Sequence, residues 1–191
     1  MVRKYFVRSV MMAGILLMFI PTPAVKAQGS DFSDARLFGI GASMGYRYDY
    51  GTSRSLSIPP AMAYFEIGIH EYITAGPFAA FSRWSYPTRS RSFMSLGARG
   101  SFHLSPFFND LLDGSIDVDK IDFYASMLSG IAFRQYGAYD TQPATRFLDD
   151  ARFFIGPVAG VRYYFSDDFA IFSEIGWGAL GVLTVGVSFR M

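Results

Sequence analysis

The chain has 191 residues, of which 51% are hydrophobic and 18% aromatic, and its formal net charge is +1. A charge so close to neutral excludes a generally basic nucleic-acid-binding protein. The lack of cysteine excludes disulfide bonds and thiol chemistry. The length fits one domain.

The first 27 residues have the pattern of a cleaved secretory signal. A basic head is followed by an apolar run over residues 10–20 and by a small residue, Ala27. The run is about half as long as the roughly 20 residues of a membrane-spanning helix. We therefore predict a signal peptide at 1–27 and one exported domain at 28–191. Removing the signal's four basic residues from the 17 leaves 13 against 16 acidic residues, a net charge of about −3.

The exported part alternates apolar residues with small or polar ones, which is the two-residue period of a β-strand. Each alternating segment is close to the length that a tilted membrane-spanning strand requires. Turn residues separate the segments. In chain order the predicted strands cover residues 37–48, 61–69, 72–84, 92–104, 121–134, 152–165, 169–177 and 181–191.

The two faces of these strands indicate which side meets lipid. The second strand sets Phe65 and Ile67 against Tyr64 and Glu66, and elsewhere the less apolar face is mostly glycine and serine with an occasional charge. Such a face suits a narrow interior better than a solvent surface, and Lys120 is the only lysine after the signal. The sequence thus predicts an all-β, eight-stranded antiparallel up-and-down transmembrane β-barrel. A soluble calycin-like barrel is the alternative.

An even number of strands places both ends of the barrel in the periplasm, with longer loops outside. Trp84 and Trp177 then fall at the outer rim, where aromatic girdles lie. Pro77 and Pro157 lie within predicted strands, and we expect a bulge or bend at each because proline cannot donate to the ladder. The predicted outside loops are residues 49–60, 85–90, 135–150 and a tight one near Ala179; the periplasmic turns are near His70, at 105–120 and near Ser166.

Four charged residues are predicted to face inward at a similar depth: Glu66, Arg99, Arg162 and Glu174. The lumen of an eight-stranded barrel is filled by side chains, so buried charges there must be paired. The pattern predicts a network that plugs the lumen. A gated ion path, and hence a small porin-like pore, is the alternative.

A second group of charges, Arg83, Arg89 and Arg91, flanks the second outside loop without an acid nearby. Arginine clusters bind phosphate, which is abundant in lipopolysaccharide. The sequence therefore suggests contact with lipid phosphate in the outer leaflet, and an ordinary solvated loop is the alternative.

Signals for catalysis are weak. Some eight-stranded barrels modify lipid A with a histidine, a serine and a carboxylate near the outer rim, but His70 and His103 both fall at the periplasmic end. We found no metal-ligand spacing, nucleophile elbow or phosphate-binding glycine loop. We predict a non-enzymatic protein without metal or cofactor, and keep a lipid-modifying enzyme as a second alternative.

The last strands carry a family resemblance. RYYFSDDFAIFSEIGWG, followed by VGVSFRM, resembles the C-terminal half of the small outer-membrane β-barrels typified by OmpX and the OmpA barrel. The resemblance implies location in the outer membrane among its lipids and lipopolysaccharide, and insertion by the assembly machinery, which recognises an aromatic final strand. Phe189 and Met191 would carry that signal, although the family's usual terminal aromatic residue is replaced here by Met191. We predict a monomer that binds no nucleic acid; its extracellular ligand is not predicted.

Overall fold

A computed structural model describes residues 32–44, 55–85, 89–111, 117, 119–138 and 151–191. The predicted signal peptide and much of the predicted outside loops lie outside these ranges. No helix in the described ranges is both long and apolar enough to cross a membrane. The strands are β1 (Arg36–Met44), β2 (Ser55–His70), β3 (Ile73–Ser85), β4 (Arg89–His103), β5 (Ile121–Ala138), β6 (Ala151–Ser166), β7 (Phe169–Gly176) and β8 (Leu183–Arg190). Helix α1 (Leu104–Leu111) follows β4 directly.

Each strand pairs antiparallel with its neighbours in sequence, and β8 returns to pair with β1. At this closing seam Phe38 lies opposite Phe189, and Gly41 lies opposite Gly186. Closure satisfies the backbone hydrogen bonds of both terminal strands without a free edge. The predicted eight-stranded barrel is confirmed.

The outward face of the barrel is apolar along the strands. Ile67 on β2 and Ile171 on β7 are exposed, whereas the adjacent Glu66 and Phe172 are buried. Large hydrophobic side chains are likewise exposed on each of the remaining six strands. A closed antiparallel barrel with an apolar exterior and a filled interior is the architecture of outer-membrane proteins, so the chain is located in the outer membrane, as predicted.

The lumen has two layers, and the sequence predicted only one of them. Its periplasmic half carries the charged side chains. Its outer half contains an apolar cluster, to which the tight connection between β7 and β8 adds Ala179 and Leu180. The expectation of a small and charged interior is incomplete for this outer half, where Ser82 and Ser95 are buried as expected but large apolar side chains are buried too. These are Met62, Phe78, Trp84, Phe93, Leu128, Val158 and Phe172.

The two tryptophans therefore differ. Trp84 lies near the outer end of β3 as predicted, but its side chain is buried in the apolar cluster of the lumen, so it belongs to no girdle. Trp177 is exposed on the outside, as an aromatic girdle requires.

Several strands are longer than predicted. β2 already begins at Ser55 and β5 continues to Ala138, so parts of the predicted loops 49–60 and 135–150 are strand. The remaining parts of those loops lie outside the described residues. β2 with 16 residues and β5 with 18 are therefore longer than the roughly 9–11 residues that a tilted membrane-spanning strand requires.

The register shifts are not where the isolated prolines predicted them. Pairing keeps one register through Pro77 and through Pro157, so neither forms a bulge. The carbonyl of Pro157 accepts a hydrogen bond from the Trp177 N–H at 2.9 Å, beside the end of β7. The missing N–H of Pro157 therefore faces the place where the ladder stops. One of the register shifts in β2 lies between Ile58 and Ala61, on either side of two consecutive prolines. The others lie near strand ends, at Leu56/Ile58, Gly68/His70 and Tyr164/Ser166.

The predicted long periplasmic turn, residues 105–120, contains all of α1 except its first residue, Leu104, which was predicted to end the fourth strand. Pro106 lies in the first turn of the helix, where the missing N–H has no intrahelical partner to lose. The Ser105 hydroxyl accepts a hydrogen bond from the backbone N–H of Phe123 at 2.7 Å, which fixes the helix to β5. Helix α1 therefore packs against the barrel.

Candidate functional site

The four charged residues predicted to face the lumen come from β2, β4, β6 and β7, and all are buried. Arg99 is the centre of the group. Its Nε donates to Glu66 Oε1 at 3.0 Å, and its Nη2 donates to Glu174 Oε1 at 2.6 Å. One guanidinium thus connects two carboxylates from strands on different sides of the barrel. Arginine can bind two carboxylates in this way because its planar guanidinium group holds several N–H donors in a fixed arrangement.

The fourth predicted member, Arg162, forms a second centre. Its Nη1 donates to Asp122 Oδ2 at 2.7 Å. The same carboxylate oxygen lies 2.9 Å from His103 Nδ1. Arg162 Nη2 is 4.0 Å from Glu66 Oε2, so the two centres form one continuous network.

Sequence reasoning missed Asp122 and His103 as members of this network. Asp122 lies directly opposite Arg162 in the β5–β6 register. Cross-strand partners of opposite charge are the signal that could have identified the pair. His103 was predicted to lie at the periplasmic end of its strand, and its side chain is buried there.

Two tyrosines enclose the guanidinium groups. The Arg99 guanidinium carbon lies 4.3 Å from the ring centroid of Tyr64, and that of Arg162 lies 4.3 Å from the ring centroid of Tyr124. These are cation–π distances. The Tyr124 hydroxyl also donates to Glu174 Oε1 at 2.8 Å. Arg99 and Arg162 are therefore each held both by carboxylate oxygen and by an aromatic face.

Inward glycines leave room for these rings. A Cβ atom added at Gly39 would overlap the ring of Tyr64. The same addition at Gly160 would overlap the ring of Tyr124. The frequent inward glycines of the sequence thus have a specific function at these two positions.

The segment before β1 closes the periplasmic end of the lumen. The buried ring of Phe32 stacks on the imidazole of His103, with 3.6 Å between ring centroids. The Arg190 guanidinium carbon lies 4.8 Å from the Phe32 ring centroid. Backbone bonds hold the segment in place: the Phe32 N–H donates to the Glu71 carbonyl at 3.2 Å. The charged network is therefore covered from below.

Buried charges of the two signs are equal in number among the described residues of this half of the lumen. Three carboxylates, those of Glu66, Asp122 and Glu174, face three guanidinium groups, those of Arg99, Arg162 and Arg190. Equal numbers allow the charges to remain in a low-dielectric interior without counterions from solvent.

Thr74, His103 and Asp122 have the order of a hydrolase triad. The Thr74 hydroxyl lies 3.1 Å from His103 Nε2, while Asp122 lies on the other ring nitrogen. All three side chains are buried, however, and Phe32 covers the imidazole. The predicted second histidine, His70, is exposed at the end of β2. No cluster of metal-ligating side chains occurs among the described residues.

The predicted phosphate-binding arginines are only partly described. Arg83 is exposed on the outer surface near the outer end of β3, two residues beyond the lipid-facing Phe81. The side chains of Arg89 and Arg91 lie outside the described part of the chain. At the other end of the barrel, Phe189 and Met191 are both exposed on the outward face.

Solved structures of small barrels resemble this chain. The N-terminal β-barrel domain of Pseudomonas aeruginosa OprF matches with a TM-score of 0.42 at 12% identity, covering 84% of this chain and 99% of that one. Yersinia pestis Ail in a nanodisc matches at 0.47 and 11%, covering 83% and 99%. Pseudomonas aeruginosa OprG matches at 0.47 and 8%, covering 85% and 98%. No protein-family model matches the sequence, and the search of curated proteins found no match.

Proposed function

We propose that this chain is a non-enzymatic outer-membrane barrel with a plugged lumen, whose role is structural or lies in interactions at the cell surface. The observation that supports the plug is the network centred on Arg99 and Arg162. At most 1% of the surface of either residue is exposed. Charges that are fully withdrawn from water and paired leave no hydrated path for ions.

Planar-bilayer conductance tests the plug. The purified, refolded barrel is added to a bilayer, and the current is compared with that of an empty bilayer in the same salt. We expect no discrete conductance steps above the control. Reproducible steps from the folded protein would overturn the plug and favour the small pore.

Burial also argues against hydrolysis at Thr74. A triad must expose its nucleophile to the substrate, and here the hydroxyl has no exposed surface. Reaction of the folded barrel with a serine- and threonine-directed fluorophosphonate should leave Thr74 unmodified. Labelling that disappears in Thr74→Val would instead support the lipid-modifying enzyme.

We further propose that Arg83 contacts lipopolysaccharide phosphate, together with Arg89 and Arg91. A long, exposed cation just beyond a lipid-facing aromatic residue can reach the headgroup layer while its stem stays apolar. Arg83→Gln should weaken binding of intact lipopolysaccharide but not of its dephosphorylated form. Arg36→Gln is the matched control, because Arg36 is exposed at the periplasmic end. Equal binding by both variants would contradict the contact.

A further inference from the structure

Helix α1 has one side attached to the barrel and one side bare. Ser105 and Pro106 are buried on the attached side. On the other side, Phe107, Phe108 and Leu111 are 41%, 36% and 66% exposed. Two phenylalanines and a leucine exposed on a single short helix require a covering that the described part of the chain does not provide.

The bare side of α1 is continuous with the lipid-facing wall of the barrel. The ring centroid of Phe107 lies 6.1 Å from that of Tyr72 and 5.9 Å from that of Phe102. Phe102 also lines an apolar groove of about 350 Å³ on the outside of the wall, with Ile73 and Met127 among its other lining residues. The aromatic residues of α1 therefore extend the surface that already faces acyl chains.

We propose that α1 is an interfacial helix, with Phe107, Phe108 and Leu111 buried among acyl chains of the periplasmic leaflet. The helix lies at the end of the barrel with the short turns, which is the periplasmic end. Three acids follow α1 in the same connection, Asp113, Asp117 and Asp119, with Ile116 and Val118 between them. An apolar helix face followed by a segment with several acids is suited to the boundary between lipid and water.

Lipid is the occupant that this continuity favours. A periplasmic protein would need an apolar surface that matches both the helix and the curved barrel wall, whereas acyl chains already cover that wall. Burial of an aromatic side chain in the interface also anchors the barrel at a fixed depth. The inference goes beyond the plugged lumen and requires only that the barrel spans a membrane.

Single-cysteine labelling tests the position of α1, since the chain contains no native cysteine. Phe108→Cys carries a fluorophore, and the refolded barrel is placed in phospholipid vesicles. Quenching by a nitroxide on the lipid chains is compared with quenching by aqueous iodide. The controls are Ile131→Cys on the lipid-facing wall and Lys120→Cys, whose side chain is 62% exposed in the same connection as α1.

We expect the label at position 108 to behave like that at Ile131. Lipid nitroxide should quench it strongly, and iodide should quench it several-fold less than at Lys120. Leu111→Cys is a second variant with the same expectation, should the change at Phe108 impair folding. Strong iodide quenching at both helix positions, with Ile131 protected, would overturn the proposal and assign the face to water or to a periplasmic protein. Iodide quenching at Ile131 itself would overturn the membrane orientation of the whole barrel.

Discussion

Replacing Glu66 by alanine should destabilise the barrel strongly. Its Oε1 accepts hydrogen bonds from Arg99 Nε at 3.0 Å and from the Ser101 hydroxyl. The substitution leaves three buried guanidinium groups facing two buried carboxylates. Removing one partner of a buried ion pair typically costs about 3–5 kcal/mol, so the free energy of unfolding should fall by that amount.

Urea unfolding in lipid vesicles measures this change, with the folded fraction determined from unboiled gels. Asp117→Ala is the matched control because it also removes a carboxylate from an ion pair, with Lys120 at 3.1 Å, but at the exposed surface. The Asp117 hydrogen bond raises the pKa of Lys120, yet an exposed pair of this kind contributes little to stability. Asp117→Ala should therefore unfold near the parent midpoint.

A double variant separates loss of charge balance from loss of packing. Arg99→Met in the Glu66→Ala background leaves two guanidinium groups facing two carboxylates in the lumen. The double variant should be less destabilised than the sum of the two single variants, because coupled residues are not additive. Equal urea midpoints for Glu66→Ala and Asp117→Ala would refute the reasoning: Glu66 would then be hydrated, and the pore would be favoured over the plug.

The other predictions concern the wall and the spacing of the lumen. The protein should fractionate with outer membranes as a heat-modifiable band on unboiled gels, and recovery as a soluble periplasmic protein would contradict the barrel. Phe189→Ala should lower the folded fraction in those membranes relative to Ser188→Ala, which changes an inward side chain of the same strand; equal fractions would remove the assembly role from Phe189. Gly160→Ala should lower stability by about 1–3 kcal/mol because the added methyl group overlaps the ring of Tyr124. Gly100→Ala should be neutral in the same unfolding assay because its Cβ meets open space. If Gly160→Ala were as stable as Gly100→Ala, the Tyr124 ring would be free to move away from the added methyl group.

The fold could be predicted from the sequence because a two-residue period fixes the face of every residue in a strand. Glu66 and Arg99 were placed inward on that basis alone. Which carboxylate meets which guanidinium depends on the register between strands and on closure of the barrel. Both are long-range properties, so the bond from Arg99 to Glu174 across the lumen could not be derived from local alternation.

The predictions failed where inward residues are not polar. Phe78 and Leu128 occupy inward positions and interrupt the alternation of apolar and polar residues, so they carry no signal that distinguishes a filled lumen from an irregular strand. Helix α1 was not predicted from the sequence, for a different reason. Its eight residues are too few for a helical period to be recognised, and its packing against β5 stabilises it more than its own sequence does.

The two layers of the lumen together explain why the charged network can be stable. Apolar side chains such as Leu128 and Phe172 exclude water from the outer side, and Phe32 covers the periplasmic side. Exclusion of water strengthens each ion pair by lowering the local dielectric constant, but it also raises the penalty for any unpaired charge. A barrel with this arrangement must keep every buried charge matched. That requirement favours a rigid plug over an ion path, because a path would need the same groups to exchange partners with water.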